Sequence, residues 1–381
     1  MNRFFLFIAI YLSIYGGAHI YGFTKIKQGL VLGLWPGLLL AIFMAMMVAA
    51  PILVRIAEKF GNNYIAHILA IIGFTWMGFL FVFVSVLFIF DIYRLFLSIG
   101  RFVFQTYFLS ITPTAGLSCT VSMLLACIIM GYGFFEAYNI RLEHVTIITD
   151  KLPKDIDKLK IAQISDVHLG VLVGEKRLDR ILDKVKTAKP HILVSTGDLV
   201  DGQMDNPDKL ATMLREIVTP HGKYAVTGNH EYYSGLSRSL DFMKKAGFFT
   251  LHGEAKTMPN LIQIAGVDDP AGRRQEADGN NSESLLLSNL STDLFTLLLK
   301  HQPIVDPNAA NYFDLQLSGH THNGQIFPFS LLTRLFYKLH PGLTQLQEGS
   351  FAYVSRGSGT WGPPARFLSP PEVTLIEIVK K

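Results

Sequence analysis

Five short fragments hold the side chains best able to bind a cation or move a proton: SDVHLG (165–170), TGDLVD (196–201), TGNHE (227–231), KHQP (300–303) and SGHTHNG (318–324). They supply Asp166, His168, Asp198, Asn229, His230, His301, His320 and His322. Imidazole, carboxylate and amide oxygen without thiolate suit first-row divalent ions such as Mn, Fe, Zn or Co. The same set argues against Ca or Mg, which prefer all-oxygen shells. Asp166, His168, Asp198, Asn229, His301, His320 and His322 are too many ligands for one tetrahedral ion. They suffice for two ions about 3.5–4 Å apart that share a carboxylate. Singly each fragment says little, because a lone His is usually structural and Gly-Asp is often an ordinary turn. Jointly they are hard to absorb, since a core does not bury that many polar groups without something to bind them.

The elements that must position these residues follow a regular pattern. KIAQISD, HILVSTGD, KYAVTGNH and LIQIAGVDD read as buried strands running into polar residues, and 175–187 and 208–217 as amphipathic helices between them. Strands alternating with helices predict a layered α/β domain over 141–381, with ligands collecting at the carboxyl ends of the strands. Residues 270–292 are polar and rich in Gly, Asn and Ser, and read as a surface insertion. His320 and His322 stand at i and i+2 in a glycine turn. That spacing can send one imidazole to each ion, with the glycines leaving room for substrate.

The 381-residue chain is 50% hydrophobic and 17% charged, with 28 Phe, but those averages hide a division. Residues 1–140 carry few charges. Four stretches there, about 4–23, 30–54, 65–90 and 115–137, each reach the roughly 20 apolar residues that span a bilayer. The first is too long, and too plainly lacking a cleavage site, for a signal peptide. Residues 92–108 place Arg94, Ser98, Arg101 and Gln105 on one helical face, which predicts a helix lying in the membrane interface. No carboxylate or histidine in these spans is read as a transport path, so this half is expected to be an anchor. Four spans put the N-terminus and 141–381 on one side, and Lys151 and Lys154 tilt that side towards the cytoplasm. The expectation is a multi-pass protein of the cell membrane. A formal charge of +4 offers no basic stripe for nucleic acid. Both cysteines, Cys119 and Cys127, fall in the apolar half, which excludes a thiolate site in the other.

The order D-x-H, G-D, G-N-H-[DE], H and G-H-x-H resembles the calcineurin-like metallophosphoesterase superfamily over about 160–378. The tail, DLQLSGHTHNGQIFP with YVSRGSGTWGPPARFLSPPEVTLIEI, is similar to its membrane-associated YkuE/YaeI-like branch. The resemblance implies a four-layer α/β/β/α sandwich and a metal-dependent phosphoesterase with two divalent ions. It implies that Asp166, His168 and His322 hold one ion and Asn229, His301 and His320 the other, with Asp198 bridging both. It makes His230 the catalytic residue that contacts a phosphate oxygen and assists the leaving group. It also implies a phosphorylated small-molecule or lipid substrate. Some relatives act on lipid-linked pyrophosphates, including UDP-2,3-diacylglucosamine. The competing reading is a membrane sensor or assembly protein that binds metal or ligand without turnover.

Asp201 and Glu231 are expected to orient ligands from behind. His191 reads as structural, and Asp268 and Asp269 as caps of the insertion. Asn323 replaces a glycine frequent in the family. Arg356, in SRGSG, is suited either to a second phosphate or to tying down its turn. Residues 326–343, IFPFSLLTRLFYKLHPGL, are conspicuously apolar and read either as a packed helix and loop or as a flap that touches the bilayer.

Overall fold

The apolar runs of the first third form helices, because a chain without water can satisfy its backbone polar groups only internally. A computed structural model describes residues 2–105, 111–273, 283–346 and 349–381. It begins with α1 (Asn2–Tyr11), a π-helical turn (Leu12–Gly16), α2 (Gly17–Gly29), α3 (Leu34–Lys59), α4 (Asn63–Phe104) and α5 (Ala115–Tyr138). Among the described residues, α3, α4 and α5 are long and apolar enough to cross a membrane. The first expected span is helical too, but its hydrogen-bond register slips at the π turn, leaving two shorter helices.

The helix expected to lie apart in the interface over 92–108 is instead, up to Phe104, the end of the 42-residue α4. Residues 106–108 lie outside the described ones. Arg94 can sit in a continuous helix because it donates to Asp91 one turn earlier and to the carbonyls of Pro113 and Thr114. The helical half does hold a histidine within the first expected span, His19, and a carboxylate directly after the third, Asp91. Asp91 accepts from Tyr21 Oη, Lys25 Nζ and Arg94 Nη1. Buried His19 accepts from Trp76 Nε1 at 2.9 Å and donates from Nδ1 to Tyr15 O. These groups find partners on neighbouring helices, as polar groups in an apolar medium must.

The chain divides into two compact units, Met1–Phe134 with Gly362–Ala365, and Phe135–Trp361 with Arg366–Lys381. The second unit carries β1 (Arg141–Thr149), β2 (Lys158–Ile164), α6 (Glu175–Ala188), β3 (Ile192–Ser195), α7 (Pro207–Arg215), β4 (Lys223–Ala225), α8 (Asn229–Ser234), α9 (Leu236–Lys245) and β5 (Phe249–Thr250). It continues with β6 (Glu254–Thr257), β7 (Ile262–Gly266), α10 (Pro270–Arg273), α11 (Glu283–Ser288), β8 (Phe295–Leu299), β9 (Leu315–Ser318), α12 (Phe329–Phe336), β10 (Gly342–Gln345), β11 (Phe351–Val354) and β12 (Glu372–Lys380). Of the expected insertion, residues 274–282 lie outside the described ones, and its flanks form α10 and α11.

Two six-stranded sheets result, ordered β1-β12-β2-β3-β4-β5 and β10-β11-β9-β8-β7-β6. Side chains alternate across each strand, so a strand buried on both faces feeds two cores. Leu159, Ile161, Ile192 and Val194 of the first sheet meet Ile262, Ile264, Phe295 and Leu297 of the second. Ala162, Ile164 and Leu193 point the other way, onto Leu178 and Ile181 of α6 and Leu210 of α7. Ala265 and Leu298 cover the far side of the second sheet with Leu287 of α11. The layers are therefore α/β/β/α.

Buried Lys223 locks two helix ends into this frame. Its ammonium donates to Leu214 O and Ala246 O, both at 2.9 Å, where α7 and α9 end. Lys223→Met keeps the apolar stem and removes these donors. It is expected to destabilise the domain by about 1–3 kcal/mol, read as a lowered thermal midpoint with metal content unchanged.

Candidate metal centre

Strands β2, β3 and β4 run parallel to one another in the first sheet, as β8 and β9 do in the second, and their carboxyl ends release Asp166, Asp198, Asn229, His301 and the 320–322 turn. The backbone there is held in an uncommon state. Asp166, His168, Asp198, His320 and His322 all have φ between 48° and 69°. Non-glycine residues rarely adopt left-handed backbone, and such residues cluster where the surrounding structure imposes them for function. Asn323 has φ 48°, a conformation asparagine tolerates better than most, which explains how it stands where glycine is common.

Among the described residues, the donor atoms gather into three triads, Asp166–His168–His322, His168–Asp198–His230 and Asp198–His301–His320, and the middle one links the other two. His168 Nε2 lies 3.0 Å from His322 Nε2, which is 3.3 Å from Asp166 Oδ1. His301 Nε2 lies 3.2 Å from His320 Nδ1 and 3.1 Å from Asp198 Oδ2. The same Asp198 Oδ2 is 3.8 Å from His168 Nε2, so its carboxylate stands between the groups. Two ligands at about 2.1 Å from an ion and at right angles lie about 3.0 Å apart, the spacing observed here. Asn229 Oδ1 is buried without a hydrogen-bond partner. His301 Nδ1 donates to Thr196 O, which leaves the Nε2 lone pair facing the Asp198 oxygen. Two facing acceptors need a proton or a cation between them. The donor set fits divalent transition metals on these grounds.

Electrostatics separates the histidines. Burial, helped by neighbouring imidazoles, lowers His168 to about 3 and His320 to about 4, which keeps both neutral and able to ligate. Burial pushes Asp166 and Asp198 upward, but His322 beside the first and His301 beside the second outweigh it, so both stay ionised. Burial opposes charge on His230, but Asp198 and a 2.6 Å hydrogen bond from Nδ1 to Asp201 raise it to about 9.

Glu231 ties the loops together. Its carboxylate accepts from the backbone N–H of Asp198, Val200 and Gly228. This is why TGNHE carries an acid three residues after the glycine that precedes α8. Glycine matters for a reason other than room for substrate. A Cβ on Gly319 would lie 2.0 Å from Ser165 Oγ and 2.2 Å from Asp166 Oδ2, and one on Gly228 would lie 2.2 Å from Asp198 Oδ1. The glycines admit the protein's own carboxylates. Gly319→Ala should displace Asp166 and cut metal-dependent turnover by about 100-fold, measured beside bound metal; unchanged values for both would count against this packing.

The calcineurin-like phosphoesterase family model matches residues 159–324, which contain all of the clustered ligands. An uncharacterized metallophosphoesterase of Aquifex aeolicus is 46% identical over 68% of this chain and 99% of its own length. This chain is a calcineurin-like metallophosphoesterase. YkuE of Bacillus subtilis is 32% identical to the phosphoesterase over 65% of this chain and 90% of its own. A zebrafish (Danio rerio) transmembrane protein with a metallophosphoesterase domain is 29% identical over 81% of this chain and 74% of its own. That share exceeds what residues 141–381 make up, so the similarity reaches into the helical half.

Of the two roles open to Arg356, its contacts favour the turn. Its guanidinium is committed to Glu143, Glu372 and Pro370 O, which ties down the turn. The residue that reaches the centre is Arg366, which sequence reasoning missed. Fully buried, it lies 3.0 Å from His322 Nδ1 and donates to His322 O and to the carbonyls of Gly357 and Gly359. Its only signal was a lone cation in the apolar, proline-rich PPARFLSPP. His191 accepts from Lys160 N, Asp269 caps α10 through Ala271 N, and Asp268 accepts from Thr227, all outside the cluster.

Proposed function

We propose that this phosphoesterase uses two divalent transition-metal ions to hydrolyse a phosphoester or phosphoanhydride of a lipid-linked substrate, of the class of UDP-2,3-diacylglucosamine. The observation that carries the two-ion reading is the position of Asp198 Oδ2, shared between His301 and His168. Asp166, His168 and His322 would hold one ion, and Asn229, His301 and His320 the other. Bound there, the ions supply an activated water and neutralise charge on the phosphoryl oxygens. Asp201 fixes His230 through Nδ1, leaving Nε2 to meet a phosphate oxygen and protonate the leaving group. Glu231 holds the Asp198 and Gly228 backbones so that these donors stay in register. The helices α3, α4 and α5 support a multi-pass membrane anchor, and Lys151 and Lys154 favour a cytoplasmic domain.

The test uses detergent-purified full chain loaded with Mn²⁺. Hydrolysis of bis-p-nitrophenyl phosphate is expected, lost on chelation and restored by Mn²⁺. UDP-2,3-diacylglucosamine in mixed micelles should then be cleaved faster than UDP-glucose. No turnover of any of these after reloading would refute the hydrolase, and equal rates on the last two would refute the lipid preference.

A further inference from the structure

Helix α12 is built inside out. In a helix packed on a soluble domain, apolar residues face the protein and polar ones face water. Here Ser330 and Thr333, with Tyr337 one residue past the helix, are the half-buried positions, while Phe329, Leu331, Leu332, Leu335 and Phe336 are exposed. Leu335 and Phe336 keep 80% and 81% of their surface accessible, and no residue of the helix is buried. An exposed apolar face of this kind marks a surface that meets another apolar one.

The segment is nevertheless fixed to the metal centre. A Cβ on Gly324, in the turn that carries His320 and His322, would lie 2.2 Å from Ser330 N, and the Tyr337 ring packs edge-on against His320 at 5.5 Å. Two features name the medium. The last membrane-length helix ends at Tyr138 and β1 begins at Arg141, so the domain is tethered to a bilayer by a link of only a few residues. Exposed Arg334 and Lys338 flank the apolar face, as cations do where a short helix settles among anionic headgroups.

We propose that α12 inserts its exposed face into the bilayer that holds the chain, bringing the metal centre to the lipid surface. This deepens the lipid-substrate reading and rests on the membrane anchor within it, but it concerns docking and can fail independently of turnover. The test places a fluorescent non-natural amino acid at Phe336 in the full chain, reconstituted in phosphatidylcholine–phosphatidylglycerol vesicles, with Lys244 on α9 as the control position. Doxyl-labelled lipid is expected to quench position 336 at least about threefold more than position 244, and aqueous iodide to do the reverse. A second probe position at Leu335 guards against a local failure at 336. Equal iodide quenching at all three positions would overturn the proposal. Hydrolysis of bis-p-nitrophenyl phosphate by the same samples reports the catalytic reading separately: active protein with a water-exposed α12 defeats the docking alone.

Discussion

Asp198→Asn is expected to lower turnover of bis-p-nitrophenyl phosphate by about three orders of magnitude, with the thermal midpoint in chelator changed little. The substitution keeps the shape of the side chain and the oxygen that accepts from His230 N at 2.9 Å. What it removes is the negative charge on the one carboxylate that faces both His301 and His168. A neutral amide cannot bridge two cations, so the site should retain at most one. If the variant kept most of its activity at saturating Mn²⁺, Asp198 would not be the bridge.

Glu231→Ala should act on both stability and the centre. Three buried N–H groups lose their acceptor at once, and each such loss costs about 1–3 kcal/mol. A total of roughly 3 kcal/mol or more is therefore expected, with metal affinity lowered about 10–100-fold because the Asp198 and Gly228 backbones are released. Glu231→Gln keeps one acceptor oxygen and should fall between. A thermal midpoint and metal affinity equal to the native values would show that these loops are held by something else.

What was legible in the sequence was local. Strand ends at Asp166, Asp198 and Asn229 followed from apolar runs meeting a polar residue, and the layered α/β domain followed from their alternation with helices. The i, i+2 spacing of His320 and His322 anticipated their split, one beside His301 and the other beside His168. Long-range pairing was not legible. Nothing in EVTLIEIVK says that β12 inserts between β1 and β2, parallel to one and antiparallel to the other. Arg366 was hidden for the same reason, since its partners lie in the 322 turn and the 356–359 loop. The separate helix expected at 92–108 failed because side-chain periodicity reports a polar face without saying what pairs with it. Asp91 and the carbonyls of Pro113 and Thr114 match Arg94 within a continuous helix.

The most direct measurement is metal stoichiometry by elemental analysis of the full chain, purified without chelator and reloaded with Mn²⁺. The account predicts two ions per chain in the native protein and at most one in Asp198→Asn. A native protein that holds no transition metal after reloading, or one ion that Asp198→Asn retains with full affinity, would contradict it.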